Sequence, residues 1–281
     1  MEHVVLNTGA EMPVLGFGVY LIPPEETERA VREALDAGYR SVDTAEGYGN
    51  EAAVGRALAA SGIPREELFV TTKLSPKHTH AEGARRSFDA SRRRLGLDRI
   101  DLYLVHAPYG DYYGAWRTMQ DLHREGPAGA IGVSNFPAPR VADLIEHHEI
   151  APAVDQIETH PLHQRRADQE ALRTLGVVTE SWGPLAQAKG GLLSDPVLTG
   201  IGERHGRSPA QVVLRWLIQR GIVAIPKTVR VERMRENLDV FGFELSADEM
   251  RGIAALDRGA PLWEGWPDPD RMPPLDQLHG E

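Results

Sequence analysis

Between residues 16 and 225 the chain repeats one pattern: a short apolar run, then a stretch with helical spacing of its apolar residues, then another run. The apolar runs end near Gly18, Val42, Thr72, Val105, Val133, Gln156, Glu180 and Ile225. Strands that alternate with helices of this length return parallel to one another, so the pattern calls for a parallel sheet covered by helices. Eight such units are the number that closes into a (β/α)8 barrel, and that α/β fold is the expectation. Ahead of the first unit, residues 4–6 and 12–15 flank a turn-rich segment and are expected to form a hairpin.

Helix ends are signalled independently. Residues 25–37 place Ala30, Val31, Ala34 and Leu35 on one face and stop at Gly38. Ser208 to Gln211 reads as a capping box with Pro209 at the first helical position, and Gly221 closes that helix. Ser246 to Glu249 repeats the capping signal, which adds an extra helix after the barrel, and residues 261–274 read as an irregular, proline-rich tail. Asp89, Arg92, Arg93 and Arg94 are expected on an outer, charged helix face.

A length of 281 residues suggests about two domains, but barrels commonly reach about 250 residues as one, and no low-complexity linker divides this chain. One domain over residues 1–281 is expected. Neither a basic leader nor an apolar run of about 18 residues is present, so the expectation is a cytoplasmic protein with no membrane partner. With no cysteine, thiolate catalysis, disulfides and cysteine-ligated metal are excluded. His78, His80, His147 and His148 have no carboxylate at metal-ligand spacing and read as solvated, so no metal is expected. A net charge of −10 disfavours nucleic acid and requires that any anionic cofactor meet a local cluster of cations.

In a parallel barrel the strand ends converge on one face, which would gather Asp43, Lys73, His106, Asn135, Gln156, Trp182 and Lys227 despite their separation in sequence. The stretch from Ser41 to Glu51 adds Tyr48 to that face. A phenol with a pKa of about 10 is a reluctant acid until a cation close by lowers it, and a buried ammonium needs a carboxylate to stay charged. Tyr48, Lys73 and Asp43 supply those three parts, with His106 able to orient an acceptor. Taken singly, Tyr48 reads as a structural phenol, Asp43 as a helix cap, His106 as a core histidine and Trp182 as core packing. A different chemistry is also open, because barrel lysines form Schiff bases and Lys73 would suit a lyase or aldolase. No Gly-x-Gly-x-x-Gly fingerprint exists, since residues 16–21 lack the third glycine. The best anion site is Lys227 and Thr228, followed by Val229, Arg230 and Arg233 where a strand end runs into a helix start.

These segments together resemble the aldo-keto reductases, and within them the bacterial branch that includes the 2,5-diketogluconate reductases. The resemblance rests on residues 16–20, 43–51, 72–74, 102–106, 130–136, 156–158 and 180–185, and on residues 225–228 with Arg233, Glu236 and Asn237. It implies an NADPH-dependent carbonyl reductase with Tyr48 as the acid and Asp43, Lys73 and His106 around it. It further implies that Lys227, Thr228 and Arg233 hold the 2′-phosphate, that Glu236 and Asn237 contact adenine, and that Ser134, Asn135 and Gln156 bind the carboxamide beneath a nicotinamide stacked on Trp182. Gly18, Val19, Asp43, Gly183, Pro184, Leu185, Gln187, Lys189 and Val229 complete the implied cofactor contacts. Tyr20, Tyr48, Ser75, His106 and Ala107 are the implied contacts of a small carbonyl substrate, and the enzyme is expected as a monomer. A non-catalytic NADPH-binding regulatory protein is the further alternative. This chain departs from the family at Ser75 and Ala107, where tryptophan is usual, and at Asp155, where asparagine is usual. The two small residues predict an open or reshaped mouth, with Trp263 and Trp266 as candidate gates and Tyr20, Tyr109, Tyr112 and Tyr113 as candidate fillers.

Overall fold

The computed structural model describes residues 2–263. Strands β1 (His3–Val5) and β2 (Glu11–Pro13) pair antiparallel, with both strands beginning earlier than the sequence pattern suggests. Eight strands then follow in chain order: β3 (Phe17–Gly18), β4 (Ser41–Asp43), β5 (Phe69–Leu74), β6 (Ile100–Val105), β7 (Ala128–Ser134), β8 (Val154–Glu158), β9 (Val178–Trp182) and β10 (Val223–Ala224). Each is parallel to the next. Closure comes from a parallel bridge between Leu15 and Ala224, with Gly16 N–H donating to Ala224 O at 2.9 Å and Ala224 N–H to Val14 O at 3.0 Å. Glycine makes this seam possible: a Cβ on Gly16 would sit 2.9 Å from Ser41 Oγ, and one on Gly18 would sit 3.0 Å from the carbonyl oxygen of Ile225. The result is the (β/α)8 barrel, with its two shortest strands at the seam.

The hairpin's apolar residues have one place to go. Leu6 and Met12 are buried in a cluster with Phe69, Leu102, Leu104, Ala130, Val154 and Val223, so β1 and β2 close the barrel's lower end. The larger core lies between the sheet and its coat of helices: α1 (Pro24–Ala37), α2 (Glu51–Ala60), α3 (Ala81–Leu95), α4 (Tyr112–Glu125), α5 (Ala138–Glu146), α6 (Arg166–Thr174), α7 (Pro196–His205), α8 (Pro209–Gln219) and α9 (Val231–Leu238). Helix α10 (Ala247–Ala254) is the extra one expected after the barrel, and a further one arises because both α7 and α8 lie between β9 and β10. Ala30, Val31, Ala34 and Leu35 of α1 are all buried, and each Leu or Val so placed stabilises the fold by about 1.5 to 3 kcal/mol relative to exposure. Gly38 ends α1 in the left-handed conformation, at φ 117°, where its N–H reaches back to the last carbonyls. Both capping boxes form, at Ser208 with Gln211 and at Ser246 with Glu249.

The face of α3 is less simple than its charge pattern suggests. Arg94 reaches across to α2 and pairs at 2.6 Å with Glu51, a carboxylate only 1% exposed that also accepts from Thr72 Oγ1 at 2.5 Å. His80 is exposed but caps α3, its Nδ1 accepting from Gly83 N–H at 3.2 Å. Among the described residues no helix is long and apolar enough to cross a membrane, and no group of three or more His, Asp or Glu is arranged to hold a metal. Of the expected tail only Pro261, Leu262 and Trp263 fall within the described residues, and Trp266 lies outside them.

Candidate active site

The C-terminal ends of the barrel strands carry the candidate residues. Asp43 ends β4, Lys73 lies in β5, His106 follows β6, Ser134 ends β7, Gln156 lies in β8 and Trp182 ends β9. Tyr48 stands on a one-turn helix, Glu46–Tyr48, that is tied down from several sides. Glu46 accepts Ser75 N–H at 3.1 Å and Ser87 Oγ at 3.1 Å, and it meets His78 Nδ1 at 3.0 Å. Asn50 holds the other end: its Nδ2 donates to Val19 O at 3.1 Å and Ile22 O at 3.3 Å, and its Oδ1 accepts from Thr44 Oγ1 at 2.8 Å. These supports escaped the sequence reading because an acid or amide in a turn looks like any solvated loop residue until its partner strand is known.

Lys73 is 0% exposed, and its Nζ donates to Asp43 Oδ1 at 2.6 Å, to Thr44 O at 3.0 Å and to Tyr48 Oη at 3.4 Å. Burial alone would push this ammonium toward the neutral amine. The attraction of Asp43, followed by Tyr48 and the Asp43 hydrogen bond, more than offsets it, and the net shift is upward. An ammonium that keeps its proton stabilises phenolate and so makes the phenol a better acid. Because Lys73 donates to the phenolic oxygen, the hydroxyl proton of Tyr48 is not spent on Lys73. The Tyr48 and His106 rings lie edge to face with centroids 5.8 Å apart, and Tyr20 packs on Tyr48 at 4.9 Å. The arrangement can protonate an oxygen set between Tyr48 and His106. It is poorly suited to Schiff-base formation, which needs a free amine.

Ser134, Asn135, Gln156 and Trp182 form one hydrogen-bonded patch beside that group. Ser134 Oγ donates to Gln156 O at 2.8 Å, Asn135 Nδ2 to His106 O at 3.0 Å and Trp182 Nε1 to Asn135 Oδ1 at 2.7 Å. Asn135 holds φ at 65°, a conformation asparagine tolerates better than most residues. Gln156 Nε2 donates at 2.8 Å both to Asp43 Oδ2 and to Glu180 Oε2. Glu180, recognised in the sequence only as part of a motif, thus belongs to the site.

Gly18 and Val19 are buried on the seam side, Val19 N–H donating to Asp43 O at 3.1 Å. After Trp182 the backbone turns through Gly183, Pro184 and Leu185 into a run in which Ala186, Gln187 and Ala188 all have positive φ, a conformation costing about 1 to 2 kcal/mol for each non-glycine residue. Across the mouth, Lys227 and Arg233 are exposed, while Thr228 Oγ1 accepts from Arg230 N–H at 3.2 Å at the start of α9. Among the described residues none of Lys189, Lys227 and Arg233 forms an ion pair. In a chain of net charge −10, cations left unpaired around one loop and one helix start suit a polyanion. Val229 and Glu236 are half-buried, and Asn237 is buried close to the Tyr39 hydroxyl.

Ser75 is 4% exposed and Ala107 is 0% exposed, with buried Tyr109 packed beside Ala107, so neither small residue opens onto solvent. Ser75 Oγ accepts Lys77 N–H at 3.4 Å and caps the turn Pro76–His78. Trp263 turns to the opposite wall, its ring 5.2 Å from Trp182 at 64°, with Lys189 Nζ 5.1 Å from its centroid. Leu262 N–H, donating to buried Glu158 Oε1 at 2.7 Å, fixes that segment. Tyr112 and Tyr113 stack on each other at 4.7 Å, Tyr112 also packing on Phe136, at the start of α4.

A parallel barrel with a buried Asp–Lys pair beneath a phenol at its C-terminal mouth defines a class of barrel oxidoreductase, and comparison with known proteins gives the family. The model described as the Aldo/keto reductase family matches residues 15–258. An aldo-keto reductase of Mycolicibacterium smegmatis is 46% identical over 270 residues, covering 95% of this chain and 96% of its own. The crystal structure of an aldo-keto reductase from a Medee basin deep-sea metagenome library superposes with a TM-score of 0.92 at 38% identity, covering 94% of this chain and 98% of its own. A Bombyx mori aldo-keto reductase solved in complex with NADP gives a TM-score of 0.88 at 32% identity, covering 94% of this chain and 95% of its own. This chain belongs to the aldo/keto reductase family and is an oxidoreductase.

Proposed function

We propose that the protein reduces small activated aldehydes and ketones, dicarbonyls or keto-sugars among them, to alcohols with NADPH, working as a single-domain cytoplasmic monomer. The observation that carries this reading is Lys73, sealed from water, held charged by Asp43 and donating to the Tyr48 oxygen. Tyr48 delivers a proton to the carbonyl oxygen while His106 orients that oxygen, and Asp43 keeps Lys73 charged throughout. NADPH, when bound, supplies the hydride to the carbonyl carbon. Asn135 and Gln156 would hold its carboxamide, Trp182 its nicotinamide ring, and Lys227, Thr228 and Arg233 its 2′-phosphate. The unpaired cations, the polar patch beside Trp182 and the NADP bound by the Bombyx mori relative support that fit.

The assay is NADPH oxidation against a panel of small aldehydes, ketones and dicarbonyls, repeated with NADH. Turnover with NADPH and at least one activated carbonyl is expected. Absence of turnover across the panel, with NADPH bound, would instead support a non-catalytic regulatory protein.

A further inference from the structure

Glu180 is a carboxyl at the heart of the barrel to which the chemistry above gives no task. Strand β9 sends it inward, where it is 1% exposed. Its Oε2 accepts from Gln156 Nε2 at 2.8 Å, and its Oε1 is buried with no hydrogen-bond partner among the described residues. The same Gln156 nitrogen donates at 2.8 Å to Asp43 Oδ2, so two carboxyls share one amide. The charged groups facing Glu180 are Asp43 from β4 and Lys73 from β5, with Tyr48 beyond Lys73. One ammonium cannot balance two carboxylates in so dry a place. Burial first, and then the Asp43 charge, push the Glu180 carboxyl up to about 8, which leaves it the neutral acid at neutral pH.

We propose that Glu180 is a positioning residue of the reduction: as a neutral acid it fixes the Gln156 amide with both N–H groups turned into the barrel and Oε1 left for the cofactor's carboxamide. It thereby also leaves Asp43 and Lys73 as a pair of zero net charge under Tyr48. This inference rests on the reading of Gln156 as a nicotinamide contact. A side chain that merely filled the core would behave differently, since replacing a buried carboxyl by an apolar group of similar size is often harmless or stabilising.

The test uses the full chain, wild type and as Glu180→Leu and Glu180→Gln, with NADPH Kd, kcat, KM and thermal midpoint measured from about pH 6 to about 9.5, on either side of the value of about 8 to which the Glu180 carboxyl is raised. Glu180→Leu should fold and weaken NADPH binding by about tenfold, equivalent to about 1.4 kcal/mol. Glu180→Gln, whose amide oxygen accepts from Gln156 as the acid does, should restore affinity to within about threefold, or about 0.65 kcal/mol. The wild type should show an inflection in kcat/KM near pH 8 that is absent from Glu180→Gln. A folded Glu180→Leu with wild-type NADPH affinity, or an unchanged inflection in Glu180→Gln, would overturn the proposal while the reductase reading stood. If Glu180→Leu fails to fold, the Glu180→Gln profile decides alone. A wild-type protein that does not bind NADPH would remove both.

Discussion

Lys73 and Asp155 are two fully buried charged-type residues that the barrel treats in opposite ways. Lys73 has three oxygens in place of the water it has lost and keeps its proton. Asp155, on β8 facing the helices, has no side-chain partner for either oxygen among the described residues, and burial holds its carboxyl well above the usual range, with Arg165 and the Phe136 N–H only partly opposing that. An acid whose folded pKa is raised binds more protons folded than unfolded. Its cost is therefore absent below the unfolded value of about 3.9 and grows as pH rises from there toward the folded value. We expect Asp155→Asn to stabilise the protein at pH 7 by about 1 to 3 kcal/mol and to flatten the fall in thermal midpoint above about pH 4. Superimposable melting profiles of wild type and Asp155→Asn across that range would contradict this. Asp155 stands out in the sequence as a departure from the family, yet its cost is visible only when its surroundings are known. Asp43, Tyr48, Lys73 and His106 were legible because strand ends must converge in a barrel. Glu46, Asn50, Glu51 and Glu180 were not, because their partners lie elsewhere in the chain, 21 residues on for Glu51 and 24 back for Glu180.

At the scale of elements, helix boundaries were the most readable feature, since Ser208, Ser246 and Gly38 act through bonds made within a few residues. Contacts between helices were not readable. Gly55 in α2 is an example: an added Cβ would lie 2.5 Å from Leu95 O and 2.8 Å from Arg94 O at the end of α3. In an isolated helix Gly→Ala stabilises by about 1 kcal/mol. Here we expect Gly55→Ala to destabilise by about 1 to 3 kcal/mol, because backbone must move and the Arg94–Glu51 pair bridges the same two helices. Denaturant unfolding checks the sign, and a gain in stability would show that α2 and α3 separate without cost. The seam strands end where the sequence placed them, at Gly18 and next to Ile225, but their shortness, two residues each, was not readable, because it follows from the close approach of Gly16 and Gly18 across the seam.

Across the whole molecule the charge is distributed against its own average. Against a net charge of −10, Lys189, Lys227 and Arg233 form no ion pair among the described residues, which suits the proposed NADPH phosphate. We expect Lys227→Ala with Arg233→Ala to weaken NADPH by about 100-fold or more, at about 1.5 to 3 kcal/mol per charge-assisted contact, while NADH changes little. Parallel titrations with the two cofactors test it, and equal losses for both would place the 2′-phosphate elsewhere. Of the open or reshaped mouth expected from Ser75 and Ala107, the fold shows that both small residues are buried, Ala107 beside Tyr109 and Ser75 capping a turn. The most direct test of the account is one comparison of wild type with Tyr48→Phe, measuring kcat/KM for an activated carbonyl and NADPH Kd on the same preparations. Loss of the proton donor should reduce kcat/KM by at least about 100-fold with NADPH Kd within about threefold. A Tyr48→Phe enzyme retaining more than about a tenth of wild-type kcat/KM would show that the proton comes from another group.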